Sequence, residues 1–323
     1  MIFDILALDG VFDTGLAAVQ DTLMTAAELG SEPLGGLRAP IVTRVVGVRR
    51  GVTTANGLKV PTQMASTLSR PDVIITPALG AKTPQTLAGA LGHRDIARAG
   101  ALLRDRQAEG AMLAAACTGT FVLAESGLLD DRKATTSWWL GPFFRMRYPK
   151  VDLDDSRMLI RSGDVVTAGA ALAHFDLALW LVRRISPALA AITARYLMID
   201  PRSSQQAAYA IPDHLTHADA VVERFDRWVR DNLSNGFSLN DAARAIGASP
   251  RTLARRLHTV LGKSPLSYFQ DLRVERAVHL LQTTGESVER IASKVGYSEA
   301  VTLRNLLRRR LGRSASQLRR LES

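Results

Sequence analysis

Two stretches of this chain are versions of one another, and the repeat limits what its C-terminal third can fold into. "LNDAARAIGASPRTLARRLHTVLGKSP", from residue 239, aligns with "VERIASKVGYSEAVTLRNLLRRRLGRSA", from residue 288. Leu239, Ala243, Ile246, Gly247 and Ser249 fall on Val288, Ala292, Val295, Gly296 and Ser298 at an offset of 49. After one inserted residue, Leu253, Leu257, Leu261, Gly262 and Ser264 fall on Leu303, Leu307, Leu311, Gly312 and Ser314 at an offset of 50. Each copy has the parts of a helix-turn-helix. A small alanine lets two helices approach, a glycine four residues later takes the positive φ of a tight turn, and a serine two residues further caps the second helix. That second helix has an inward stripe, Leu253–Leu257–Val260 or Leu303–Leu307–Leu311, and an outer face rich in arginine. A joining helix of about 18 residues spans about 27 Å, which sets the two outer helices about one duplex turn apart on one DNA face.

Charge follows the repeat. The net +10 divides into 22 Lys and Arg against 20 Asp and Glu over residues 1–213, and 19 against 11 over 214–323. A basic end of this kind attracts a polyanion, nucleic acid or an acidic membrane surface. The competing reading is a helical bundle whose arginines are only solvated. Helices are expected at 217–233, 239–247, 250–260, 265–282, 287–295 and 299–311, with a short one after Ser314, and no strand beyond Leu215.

The first two hundred residues alternate differently. "IFDILAL" precedes the amphipathic "GLAAVQDTLMTAAEL"; "IVTRVVGV" follows; "PDVIITPAL" precedes a helical region from Thr86 to Arg106; "AMLAAAC" precedes "TGTFVLAESGLL". Strand and helix in alternation predict a mostly parallel sheet covered by helices. "SRMLIRSGDVVTAG" reads as a hairpin around Ser162-Gly163-Asp164, followed by a helix from Ala170 to Arg184. "IDPRSSQQAAYAIPDH" breaks the pattern with two prolines and a polar cluster. The expected organisation is an α/β input domain over 1–200, a linker over 201–216 and an all-α domain over 217–323. "MIFDILALDG" lacks a secretory signal, and "VVTAGAALAHFDLALWLV" has His174 and Asp176 near its middle, so it is a poor membrane span. A cytoplasmic protein without membrane contact is expected.

The single cysteine excludes an intramolecular disulfide framework and a four-thiolate zinc site. Cys117 follows the apolar run Met112–Ala116 and precedes Thr118-Gly119, a strand-to-helix elbow of the kind that presents nucleophiles. A thiol there needs a base or a lowered pKa. "SWWLGPFFRMRYP" gathers Trp138, Trp139, Phe143, Phe144 and Tyr148, an ordinary core or the roof of a pocket. His214 and His217 have metal-like spacing without matching ligands, so no metal and no cofactor are expected.

The C-terminal segment resembles the DNA-binding domain of AraC/XylS-type regulators, on "IGASPRTLARRLHTVLGKSP" and "IASKVGYSEAVTLRNLLRRRLGRSASQLRR". The family usually has phenylalanines where Leu303 and Leu307 stand, and often an arginine at Asn305. Outward faces and side-chain chemistry nominate Arg251, Thr252, Arg255, Arg304, Asn305 and Arg308 for base edges. Arg256, Arg309, Arg310 and Arg313 are nominated for phosphates.

The first domain resembles the PfpI-like branch of the class I glutamine amidotransferase-like superfamily. The residues that carry the likeness are "DGVFDTGLAAVQD", "PDVIITPALG", "AACTGTFVLAESGLLDDRKATTSWW" and "TAGAALAHFDLALWLVRR". The resemblance implies a flavodoxin-like fold. Together with the AraC-type segment, it implies a dimeric transcription regulator binding double-stranded DNA. Hydrolytic relatives place a histidine after the elbow, and related regulators often read "TTHW"; here Ser137 stands in "TTSWW", and an alcohol does not accept a thiol proton as imidazole does. Asp13, Ala78, Cys117, Thr118 and Ser137 are candidates for a pocket that binds a small effector without hydrolysis. A buried structural thiol is the second reading of Cys117, and a cysteine-dependent amidase or hydrolase with a basic helical appendage is the third.

Overall fold

The computed structural model describes residues 1–31, 40–199 and 219–319. It divides into two compact units, Met1–Gln206 and Ala207–Ser323. The expected linker, 201–216, and His214 and His217 lie outside the described residues.

In the first unit the strands are β1 (Ile2–Leu6), β2 (Val42–Gly47), β3 (Gly51–Thr53), β4 (Lys59–Pro61), β5 (Gln63–Met64), β6 (Val73–Thr76), β7 (Met112–Ala116), β8 (Lys133–Ala134), β9 (Asp152–Leu153), β10 (Leu159–Ser162) and β11 (Val165–Ala168). Seven of them form one sheet in the order β10-β11-β7-β6-β1-β2-β5. All its pairings are parallel except β10 with β11, the hairpin expected around Gly163. The helices are α1 (Asp13–Ser31), α2 (Pro84–Leu91), α3 (Arg94–Ala108), α4 (Gly119–Glu125), α5 (Gly141–Arg147), α6 (Ala173–Ile185) and α7 (Pro187–Tyr196).

Why the strands read as unbroken apolar runs is visible in their two faces. Successive side chains alternate across a sheet, and both faces here are covered. Leu6, Ile74, Leu113 and Ala115 pack with Leu87, Ile96, Leu103 and Phe121 from α2, α3 and α4. Phe3, Ile5, Ile75, Ala114 and Ala116 pack with Leu16, Leu23, Leu177 and Leu189 from α1, α6 and α7. This three-layer arrangement is the flavodoxin-like α/β fold, and it leaves the carboxyl ends of β1, β6 and β7 as the natural place for a site.

Expectation and structure part at several points. The helical region from Thr86 to Arg106 is two helices, because His93 opens a new one: its Nδ1 accepts the Asp95 N–H at 3.3 Å. Helix α7 follows α6 after Ser186, whose hydroxyl accepts the Leu189 N–H. The aromatics of "SWWLGPFFRMRYP" in part build core: Phe143, Phe144 and Tyr148 surround Phe121 of α4, with ring centroids 4.8–6.0 Å apart.

The second unit is helical throughout its described residues: α8 (Ala220–Asp231), α9 (Leu239–Ala245), α10 (Pro250–Leu261), α11 (Pro265–Thr283), α12 (Val288–Lys294), α13 (Ala300–Leu311) and α14 (Ala315–Arg319). Serine hydroxyls cap α9, α10, α11 and α12, at Ser238, Ser249, Ser264 and Ser287, each cap contributing about 1 kcal/mol. Asp219 caps α8 by accepting from Val221 and Val222, and α8 buries Val222, Phe225 and Val229, an i, i+3, i+7 stripe.

Candidate functional site

At the elbow, β7 ends in Ala116 and the chain turns through Cys117, whose φ of 56° is unusual for a residue with a side chain. The turn is fixed from three directions. Cys117 donates its N–H to Ala168 O of β11 at 3.0 Å, Thr136 Oγ1 donates to Cys117 O at 2.7 Å, and Thr118 Oγ1 donates to Leu79 O at 2.7 Å. Gly119 then starts α4 against β6: a Cβ there would lie 2.6 Å from Pro77 O and closer still to Thr76 O. Only glycine allows that approach.

The structure brings Cys117, Thr118 and Ser137 together. Sγ of Cys117 is 2.8 Å from Ser137 Oγ, and all three residues are buried. Burial pushes the thiol pKa up, more than the hydrogen bonds from Ser137 and Thr118 bring it down. The resting group is a thiol.

Ala78 lies beside them, with its backbone already engaged. It accepts the Phe12 N–H at 2.7 Å and donates its own N–H to His174 Nε2 at 3.1 Å. The other ring nitrogen of His174, Nδ1, is 2.6 Å from Ala171 O. A carbonyl can only accept and an amide N–H can only donate, so the ring is neutral with its proton on Nδ1. Burial lowers its pKa to about 4. The sequence reading found no role for His174. Its signal was only a histidine at the start of an apolar helix, which says nothing of what it will touch. The Asp13 carboxylate accepts from Thr54 Oγ1 at 2.5 Å and from Asn56 N–H at 3.2 Å.

In the second unit the two helix-turn-helix copies take the expected form. Ala243 and Ala292 are buried at the helix crossings, and Gly247 and Gly296 turn with φ of 68° and 81°. Ser249 caps α10, but Ser298 does not cap α13: the N-cap is Glu299, with no side-chain bond. Leu253, Leu257 and Leu261 form the inner stripe of α10, Val260 being only half-buried, and Leu303, Leu306, Leu307 and Leu311 that of α13.

Arg251 and Arg255 on α10, and Arg304, Asn305 and Arg308 on α13, are exposed. Thr252 is partly buried, and its hydroxyl lies 2.9 Å from Ser249 Oγ. Arg304 Nη2 pairs with Glu289 Oε1 at 2.6 Å, and Arg256 Nη1 with Asp219 Oδ2 at 3.3 Å. Arg309 is exposed and Arg313 half-buried. Arg310 departs from the expectation of a phosphate contact: it turns inward, 3.2 Å from Asp271 Oδ1 and 3.0 Å from Ser267 Oγ. The joining helix α11 has 19 residues, about 28 Å of axis. No helix among the described residues is long and apolar enough to cross a membrane.

These two halves define a class: an α/β unit with a strand-to-helix cysteine elbow, combined with a double helix-turn-helix unit. Family models agree with each half, DJ-1/PfpI family over residues 19–184 and helix-turn-helix domain over 242–321. The chain belongs to the DJ-1/PfpI family and carries an AraC-type helix-turn-helix module. It is similar to the HTH-type transcriptional regulator GlxA of Rhizobium meliloti (strain 1021), 27% identical over 210 residues, or 63% of each chain. It is also similar to the HTH-type transcriptional regulator ArgR of Pseudomonas aeruginosa, 27% identical over 202 residues, 62% of this chain and 61% of that one. The chain thus matches a little over three fifths of the length of these curated relatives. Among solved structures, an AraC family transcriptional regulator from Pseudomonas putida superposes with a TM-score of 0.50 at 22% identity, covering 61% of this chain and 98% of that one. A THiJ/PfpI family protein from Pseudomonas syringae gives a TM-score of 0.51 at 20% identity, covering 76% and 90%. Likeness at that level shows the fold.

Proposed function

We propose that this protein is a sequence-specific DNA-binding transcription regulator of the cytoplasm, with an α/β input domain over 1–200, a linker over 201–216 and a DNA-binding domain over 217–323. The observation that carries this is the pair of helix-turn-helix copies, each presenting exposed arginines on its second helix. Arg251, Thr252, Arg255, Arg304, Asn305 and Arg308 read base edges, and Arg256, Arg309 and Arg313 contact phosphates.

The input domain acts without catalysis. Ser137 takes the place of the expected base beside Cys117, the thiol is held protonated by burial, and both nitrogens of His174 are occupied. The pocket around Cys117, Thr118, Ser137, Ala78 and Asp13 receives a small effector. The effector shifts the arrangement of a homodimer by binding one arrangement more tightly than the other.

Selection of bound duplexes from a random pool, followed by affinities across a salt series, tests the reading. A recurring site with two contact blocks about one turn apart supports it. Binding of all sequences alike, with a steep salt slope, would refute it in favour of a nonspecific DNA-associated protein. At the preferred site Arg251→Ala should cost about 1–3 kcal/mol if it reads a base.

A further inference from the structure

Asp271 lies in the second turn of α11 and bridges two cations, one from each copy of the helix-turn-helix. Its Oδ2 is 2.9 Å from Lys263 Nζ, and its Oδ1 is 3.2 Å from Arg310 Nη1. Lys263 occupies the sharp turn between α10 and α11, between the left-handed cap Gly262 and the N-cap Ser264. Arg310 belongs to the last turn of α13, and its Nη2 is also bound by Ser267 Oγ at 3.0 Å and Gln270 Oε1 at 3.3 Å. Ser267, Gln270 and Asp271 stand at i, i+3 and i+4, so they form one face of α11. All three charged partners are half-buried, with side chains 20–30% exposed, where an ion pair is screened less than at the surface.

We propose that Asp271 is a positioning residue that fixes the angle and separation of the two DNA-reading helices, and thereby the spacing of the two contact blocks this protein accepts. The inference rests on the DNA-binding reading above. Its basis is the connectivity: one carboxylate holds the turn that ends α10 and the turn that ends α13, the two helices whose outer faces carry the candidate base contacts. Lys263 and Arg310 are thereby withdrawn from phosphate. A second tie holds the unit when this one is removed. Arg273 of α11 donates from Nε to Leu233 O at 2.7 Å and from Nη2 to Asn235 O at 2.5 Å, and its guanidinium stacks on Phe269 and Tyr297. Asp271→Asn therefore folds, while Arg310 keeps Ser267 and Gln270 and Lys263 loses its partner.

Two measurements on the full-length chain test this. In the first, spin labels on Thr259→Cys and Val301→Cys, exposed positions on α10 and α13, are read by pulsed dipolar spectroscopy in a Cys117→Ser background without DNA. Asp271→Asn should widen the distance distribution about twofold, because one helical body can then rotate against the other; an unchanged distribution overturns the proposal. In the second, affinities are compared for the selected site and for the same site with one base pair inserted between its blocks. The intact protein should discriminate by about tenfold, and Asp271→Asn by about threefold or less. A variant that loses thermal stability but keeps the full discrimination shows a structural role only and also overturns it. If no two-block site is ever selected, the DNA reading fails, while the label distances still decide whether Asp271 fixes the helices.

Discussion

Acid should weaken the α/β unit through His174, by an amount the structure allows one to work out. The ring is wholly buried, its Nε2 accepts the Ala78 N–H and its Nδ1–H donates to Ala171 O, and its pKa is lowered from 6.5 to about 4 by burial. Protonation at Nε2 would set one N–H against another in a dry site. Because the folded-state pKa lies below the unfolded one, the unfolded chain binds more protons between about pH 6.5 and 4. Stability from this group is therefore full above about pH 6.5, falls through that window, and is lost below about pH 4. At about 1.4 kcal/mol per pH unit, the interval amounts to about 3 kcal/mol, of which about 2 kcal/mol is gone by pH 5. Urea unfolding followed by tryptophan fluorescence checks this in a Trp228→Phe background, which leaves Trp138, Trp139 and Trp180 of the α/β unit as reporters. His174→Gln keeps a donor and an acceptor without titrating, so its stability should depend on pH less steeply by that amount. The same acid loss in both proteins would refute the assignment of the neutral ring.

Four further outcomes follow from single contacts. Gly119→Ala should destabilise the α/β unit by about 3 kcal/mol or more, because the added carbon meets the backbone oxygens of Thr76 and Pro77, which cannot move aside; recovery of soluble protein and its unfolding midpoint measure this. Tyr268→Phe should cost the helical unit about 1.5–3 kcal/mol in thermal or urea unfolding, since Tyr268 Oη donates to the buried Asp226 Oδ1 at 2.6 Å. In a salt series on DNA, Arg309→Ala should reduce the slope by about 0.9, whereas Arg310→Ala, whose side chain is engaged by α11, should leave it nearly unchanged. Iodoacetamide should label Cys117 far more slowly in the folded protein than in urea, because the group is a buried thiol with a raised pKa.

How much of this was legible beforehand depends on the range of the interaction. The repeat announced the helical unit almost to the residue, because Ala243, Gly247, Leu253 and Leu257 express local geometry and a helical period. The alternating apolar runs announced the parallel sheet for the same reason. What escaped was set by partners far away in sequence. Nothing near residue 174 reveals that its ring will meet the amide of Ala78, 96 positions earlier. Arginines at 308, 309 and 310 look alike as text, yet only the last falls on the helix face that α11 covers with Asp271. Ser298 matched Ser249 by alignment, but in the second copy the N-cap falls one residue later, on Glu299, so the serine hydroxyl is misplaced for capping.

The elbow shows why a strained cysteine is not by itself a nucleophile. A non-glycine residue at φ of 56° costs about 1–3 kcal/mol and persists only where its surroundings over-determine it. Here the surroundings do so for architectural reasons. The chain leaving β7 must turn sharply enough to bring Gly119 onto the carbonyls of Thr76 and Pro77, and the bonds of Cys117 N–H to Ala168, Thr136 to Cys117 O and Thr118 to Leu79 O hold that turn. Any residue at position 117 would inherit the same φ. Catalysis needs something further, a base that takes the proton in reach of the sulfur. The side-chain partner of the sulfur at 2.8 Å is the Ser137 hydroxyl, while the imidazole of His174 has its lone pair engaged by the Ala78 N–H. The geometry that presents the thiol is thus fixed by backbone hydrogen bonds and by the close approach of Gly119 to β6, independently of any chemistry at the sulfur.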